Sequence, residues 1–149
     1  MNDVIKILFI CHGNICRSPM AEFVMQDMVK KAGLESRFQI DSAATSTEEL
    51  GNPVHRGTQA KLRQVGIPCG VHYARQMTRK DYDAYDLLIG MDRYNMRNMQ
   101  RIAGGDPDGK MRMLLPRDVA DPWYTGNFDD TYRDVSEGCA LLLRELTEN

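Results

Sequence analysis

The chain has 149 residues, 42% hydrophobic and 27% charged. That is the size and balance of one globular domain, residues 1–149, able to fold without a disulfide or metal staple. The net charge of −2 argues against a general nucleic-acid binder, which carries a basic excess. No apolar run approaches the roughly 20 residues that span a bilayer. The N-terminal apolar run, Ile7 to Ile10, has neither the positive leader nor the cleavage site of a signal peptide. It is expected to be a buried strand, and the protein to be cytoplasmic.

In a reducing compartment the four cysteines, Cys11, Cys16, Cys69 and Cys139, are expected to be thiols. A structural metal is not expected. Cys11 and Cys16 have no second close pair of Cys or His after them, and His12, His55 and His72 are scattered.

Elements alternate along the chain. Val4 to Ile10 is apolar and β-branched, as a strand buried on both faces should be. Ser18 and Pro19 predict a helix start, at N-cap and first turn, for Met20 to Lys31, with Gly33 as the stop. Phe38 to Ala44 reads as a second strand. Asn52-Pro53 opens a predicted helix to Val65, and Thr78 to Tyr82 a short helical turn. Asp86 to Met91 is a third strand, after which Asp92 caps a helix through Ile102. Gly104 to Gly109 must be a loop. Met111 to Leu115 is a last strand, and Asp118 to Asn127 has no clean period. The final helix carries Phe128, Tyr132, Val135, Cys139, Leu142 and Leu146 on one stripe, at spacings of 4, 3, 4, 3 and 4. This alternation predicts an α/β fold: a parallel sheet with right-handed crossovers and helices on both faces. Ligands of such sheets bind beyond the strand ends, near the first strand-to-helix turn.

That turn is Cys11-His12-Gly13-Asn14-Ile15-Cys16-Arg17-Ser18. A turn that feeds a helix aims backbone N–H groups at one point, and the helix dipole adds positive charge. Gly13 and Asn14 tolerate the positive φ of a tight cradle. Such a nest takes an anion of phosphate size. Arg17 adds a planar fork that grips two oxygens. A thiol facing a helix N-terminus and a guanidinium favours its thiolate form. Cys11 is therefore a candidate nucleophile aimed at phosphorus. A Walker phosphate loop is excluded, because no Gly-x4-Gly-Lys-Ser/Thr occurs. Cys16, on the same loop, is either a small buried filler or a thiol able to capture an oxidised Cys11 as a disulfide.

Through Cys11 to Pro19 the sequence resembles the low-molecular-weight protein tyrosine phosphatases. Asp121-Pro122-Trp123-Tyr124, Asp41-Ser42-Ala43, His72-Tyr73-Ala74-Arg75 and Met91-Asp92 extend the resemblance over essentially the whole chain. It implies a four-stranded parallel sheet and hydrolysis of phosphotyrosine in protein substrates. Inorganic phosphate would be the product, with no cofactor, nucleic acid or membrane span involved. Cleaving a phosphate monoester requires a proton on the leaving oxygen. Spacing does not choose among 21 acidic residues; the resemblance picks Asp121 as general acid, then as base towards water. It makes Trp123 and Tyr124 the wall for a phenyl ring. Ser18 would reach the thiolate, and Asn14, Ser42 and His72 would hold the loop in shape.

The mouth departs from the animal members of that family. Glu48-Glu49 stand where they carry a Trp-Asn pair, so an acidic rim is expected, with His12 and Ile15 forming other parts of it. Three other readings share the loop. A thiol-coupled arsenate reductase needs a further redox pair, and no cysteine lies between Cys69 and Cys139. A protein-arginine phosphatase carries Thr where Ile15 stands. A phosphate sensor would not need nucleophile, Arg and acid together.

Overall fold

The computed structural model describes residues 4–148. Four strands, β1 (Ile5–Cys11), β2 (Phe38–Ala44), β3 (Leu87–Gly90) and β4 (Met111–Met113), form one sheet in the order β2-β1-β3-β4. Every pairing is parallel. Six helices accompany it among the described residues: α1 (Arg17–Lys31), α2 (Arg56–Gln64), α3 (Arg79–Ala84), α4 (Arg93–Ala103), α5 (Pro122–Thr125) and α6 (Phe128–Thr147). A 3-10 turn, Glu35–Arg37, leads into β2. Among the described residues no helix is long and apolar enough to cross a membrane.

The two-residue period of β1 sorts the core. Ile7, Phe9 and Cys11 point into a cluster with Met20 and Val24 of α1 and Val135, Cys139 and Leu142 of α6. Leu8 and Ile10 point the other way, against Tyr82 of α3, Leu88, and Met99 and Ala103 of α4. Ile7, Leu8, Phe9 and Ile10 are wholly buried, each worth about 1.5–3 kcal/mol over exposure. That two-sided burial makes β1 central and fixes where its C-terminal end, and hence Cys11, must lie. The stripe predicted on α6 faces this core: Val135, Cys139 and Leu142 are buried, while Phe128, Tyr132 and Leu146 pack at its edge.

Several expected boundaries move. Ser18 does not cap α1. The helix starts two residues earlier, at Arg17, with Cys16 at N-cap and no side-chain cap. The Ser18 hydroxyl is turned inward instead, onto Cys11 Sγ at 3.0 Å. Helix α2 begins at Arg56, not Asn52, because Pro53 is held in a bridge to Tyr73. His55 caps it, Nδ1 accepting from the Gly57 N–H at 2.9 Å. β3 and β4 are each shorter than expected; Leu114 and Leu115 leave the ladder but stay in the core. The stretch without a period contains α5, a single turn with Pro122 at its first position and Asp121 as its cap.

Candidate active site

Strand β1 ends at Cys11 and α1 begins at Arg17, so five residues bend the chain around one point. Asn14 makes the bend with a φ of 60°, the only positive φ of a non-glycine among the described residues. Asn and Asp tolerate that conformation better than other side chains. The turn brings the Asn14 N–H to 3.2 Å from Cys11 Sγ. The Asn14 side chain fixes the turn with all four of its hydrogen-bonding positions. Its Nδ2 donates to Ser18 Oγ at 2.8 Å and Ser42 Oγ at 2.9 Å. Its Oδ1 accepts from His72 Nε2 at 2.8 Å and the Arg75 N–H at 3.2 Å. Cys11 is thus 3% exposed and held between an N–H and a hydroxyl at the floor of the loop.

Arg17 is equally buried and paired on both edges of its fork. Nη1 donates to Asp92 Oδ2 at 2.9 Å and the Val119 carbonyl at 3.1 Å. Nη2 lies 3.3 Å from Asp121 Oδ2. Burial works against the Arg17 charge, but Cys11, Asp121 and Asp92 outweigh it and hold the guanidinium above its ordinary range. Asp121 has a second contact: Oδ1 accepts from the Trp123 N–H at 3.0 Å, so it also caps α5. One Asp121 oxygen thus opens the turn before Pro122 while the other reaches the site.

These groups line a cavity of about 700 Å³. Its floor is Cys11 to Arg17; its sides are Glu48 and Glu49 from the loop after β2, Asp92 and Tyr94 at the start of α4, and Asp121, Trp123 and Tyr124. Trp123 and Tyr124 are 61% and 84% exposed, rings standing in solvent at the mouth. His12 Nε2 meets Glu48 Oε2 across the rim at 2.9 Å. An anion floor, a thiol beneath it, a carboxyl beside it and aromatic sides suit displacement at phosphorus on an aryl ester.

The family description "Low molecular weight phosphotyrosine protein phosphatase" matches residues 6–149. The chain belongs to that family. It thereby joins the phosphoric monoester hydrolases. It is 40% identical to the low molecular weight protein-tyrosine-phosphatase YfkJ of Bacillus subtilis, over 96% of each chain. It is 35% identical to the human low molecular weight phosphotyrosine protein phosphatase, over 96% of this chain and 94% of that one. The crystal structure of YfkJ superposes with a TM-score of 0.95, covering 99% of this chain and 97% of the other. The Streptococcus pyogenes low molecular weight phosphatase superposes at 0.92, with 39% identity, 98% of this chain and 95% of that one.

In this member of the low molecular weight phosphatases every site residue singled out from sequence converges on one pocket or its supports. His12, Gly13, Asn14, Ile15, Cys16 and Arg17 line it with Cys11, Asp121, Trp123 and Tyr124. Ser18, Ser42 and His72 lie behind the loop. Burial, together with neighbouring Cys11 and Asp121, pushes the Cys16 thiol up to about 12. Cys139 is sealed in the core, where burial pushes its thiol up, and Cys69 is exposed.

Three participants escaped sequence reading. Asp92 was legible as a helix cap and as part of the family resemblance, but not as a partner of Arg17; Oδ1 does cap, accepting from the Asn95 N–H at 2.7 Å, while Oδ2 holds Arg17. Tyr94 adds a third aromatic to the mouth. Glu22 lies on the buried face of α1, its Oε1 accepting from Ser42 Oγ at 2.6 Å. Burial raises its carboxyl to about 7, partly offset by the Ser42 and Gln26 hydrogen bonds. Burial also lowers the neighbouring His72. The spacing of Ser18 and Glu22, one helical turn apart, was the available signal.

Proposed function

We propose that this phosphatase is a single-domain cytoplasmic enzyme that hydrolyses phosphotyrosine in proteins, and small aryl phosphates, through a phosphocysteine on Cys11. The observation that carries the reading is the convergence of Cys11 Sγ, the Arg17 fork and Asp121 in one pocket. A phosphate dianion in the loop takes the Arg17 fork and leaves Asp121 Oδ2 free for the leaving oxygen. Cys11 Sγ attacks phosphorus as the phosphorus–oxygen bond breaks. Asp121 gives its proton to the phenolic oxygen, and the phenol departs. Asp121, now a carboxylate, takes a proton from a water that attacks phosphorus. The sulfur–phosphorus bond breaks, returning the thiolate and inorganic phosphate. Arg17 and the loop N–H groups carry the charge spread over the phosphoryl oxygens in both steps. The scheme calls on no metal or cofactor.

Phosphotyrosine is favoured over phosphoarginine by Ile15, an apolar side chain at the pocket, and by the aromatic side of Trp123 and Tyr124. Cys16 is the protecting thiol. Peroxide converts the Cys11 thiolate to a sulfenic acid, and the Cys16 sulfur displaces water to form a disulfide that a thiol reductant reopens. Mass mapping of peroxide-treated protein should show the Cys11–Cys16 link, and recovery should fail in Cys16→Ser. An unlinked pair, or equal recovery, rejects that role.

The test of the main reading is turnover of 4-nitrophenyl phosphate, a phosphotyrosine peptide and a phosphoarginine peptide in excess chelator. The first two should be hydrolysed and the third spared, and Cys11→Ser should abolish turnover while still binding phosphate. Activity in Cys11→Ser, or loss on chelation, would overturn the scheme.

A further inference from the structure

The mouth of the pocket has an uneven charge distribution. Four carboxylates line the cavity, Glu48, Glu49, Asp92 and Asp121, against one guanidinium, Arg17, at its floor. Asp92 and Asp121 are turned onto Arg17. Glu48 is engaged by His12. Glu49 has no ion-pair partner among the described residues; its Oε2 accepts only from the neutral Asn52 amide. Glu49 also packs against the phosphate loop. A methyl group added at Gly13 would lie 3.3 Å from Glu49 Cγ, so the stem rests against the loop itself. Its charge reaches far enough to help raise the Cys16 thiol on that loop.

Topology puts a different surface on the other flank. Strands β2 and β3 lie on opposite sides of β1. Glu49, after β2, and Tyr94, after β3, therefore flank the loop from its two sides. Tyr94 is 69% exposed. At about 700 Å³ the cavity falls within the range that takes drug-sized ligands, leaving room beside one phosphoaryl ring.

We propose that Glu49 is a specificity-determining residue, selecting phosphotyrosine sites with a neighbouring lysine or arginine over sites with neighbouring aspartate or glutamate. The proposal rests on the phosphotyrosine reading above. A long basic side chain lays its stem along the mouth and its head against the Glu49 carboxylate. An acidic neighbour meets an uncompensated like charge there. The pair would lie at the mouth, open to solvent on one side, so the preference is modest, about two- to fivefold in kcat/KM at low salt, and it fades as salt screens it.

The experiment compares kcat/KM for a basic-flanked and an acidic-flanked phosphotyrosine peptide, and for 4-nitrophenyl phosphate. It uses wild type, Glu49→Gln and Glu49→Asp at low and high salt. Wild type should favour the basic peptide, Glu49→Gln should bring the ratio towards one, and Glu49→Asp should restore it. 4-Nitrophenyl phosphate, which has no flanking residue, reports any general effect of the variants on the loop. A ratio unmoved by Glu49→Gln, or a wild-type preference for the acidic peptide, overturns the proposal. So does a parallel loss on all three substrates, which would make Glu49 a prop for the loop. Brisk turnover without a preference sinks the proposal alone; no turnover of any of the three by wild type sinks the phosphatase reading itself.

Discussion

At Asn14 the backbone sits at a φ of 60° while its amide makes four hydrogen bonds. The left-handed conformation costs roughly 1–2 kcal/mol, and each hydrogen bond returns about 0.5–1.5 kcal/mol. The bonds therefore hold a loop shape that the backbone alone would not keep, with the N–H on Cys11. Arg17 is held with comparable strictness by Asp92, Val119 and Asp121. Asp121 divides its oxygens between the α5 cap and the site, so removing its proton should show in the chemistry more than in the fold. Asp121→Asn should lower turnover of phosphotyrosine by about 10²–10⁴-fold. It should hurt esters with good leaving groups far less, since these need little protonation. Rates plotted against leaving-group pKa check this: a steeper slope in the variant is expected, and an unchanged slope would assign the acid elsewhere, with Asp118 the nearest carboxylate upstream.

Among the elements, β1 and α1 were legible because their signals are local. Four consecutive apolar residues mark a strand buried on both faces, and a Cys-x5-Arg turn follows directly. Helix α6 was legible from its stripe. Helix α5 was not: four residues hold no period, and its cap doubles as a site residue. Ser18 misled for a related reason, since a serine before a proline looks like a cap while its hydroxyl is claimed by Cys11. Asp92 and Glu22 were hidden because their partners lie 75 and 20 residues away in sequence, at Arg17 and Ser42. The seat of α6 on the sheet depends on a close approach at Gly138. A methyl group there would come within 2.9 and 3.0 Å of Leu114 Cδ1 and Cδ2. Gly138→Ala gains up to about 1 kcal/mol of helix propensity but overpacks the core, at about 1–3 kcal/mol. A net loss of about 1–2 kcal/mol is expected in urea unfolding; an unchanged or raised midpoint would show that the interface relaxes freely.

For the whole molecule, the polar network behind the loop couples folding to pH. Glu22 lies near 4.5 when unfolded and is raised to about 7 in the fold, by burial first. The folded state therefore binds the Glu22 proton more tightly. Its contribution to stability is fully present below about 4.5 and is lost as pH rises through about 7. A shift of this size corresponds to about 3 kcal/mol. Glu22→Gln should flatten that part of the stability–pH curve and make the protein relatively more stable at pH 8 than wild type. Denaturant unfolding from pH 4 to 9 in both proteins checks it; parallel curves would remove Glu22 from the account. The same network reaches Cys11 through Ser42, Asn14 and Ser18, so the whole fold bears on one sulfur atom. The most direct test of the account is therefore to quench the enzyme during turnover of 4-nitrophenyl phosphate and locate the phosphoryl group by mass mapping. One phosphoryl group on Cys11, formed within the first turnover and absent from Cys11→Ser, is the predicted result. A phosphoryl group on any other residue, or first-turnover release of phosphate with Cys11 unmodified, would contradict it.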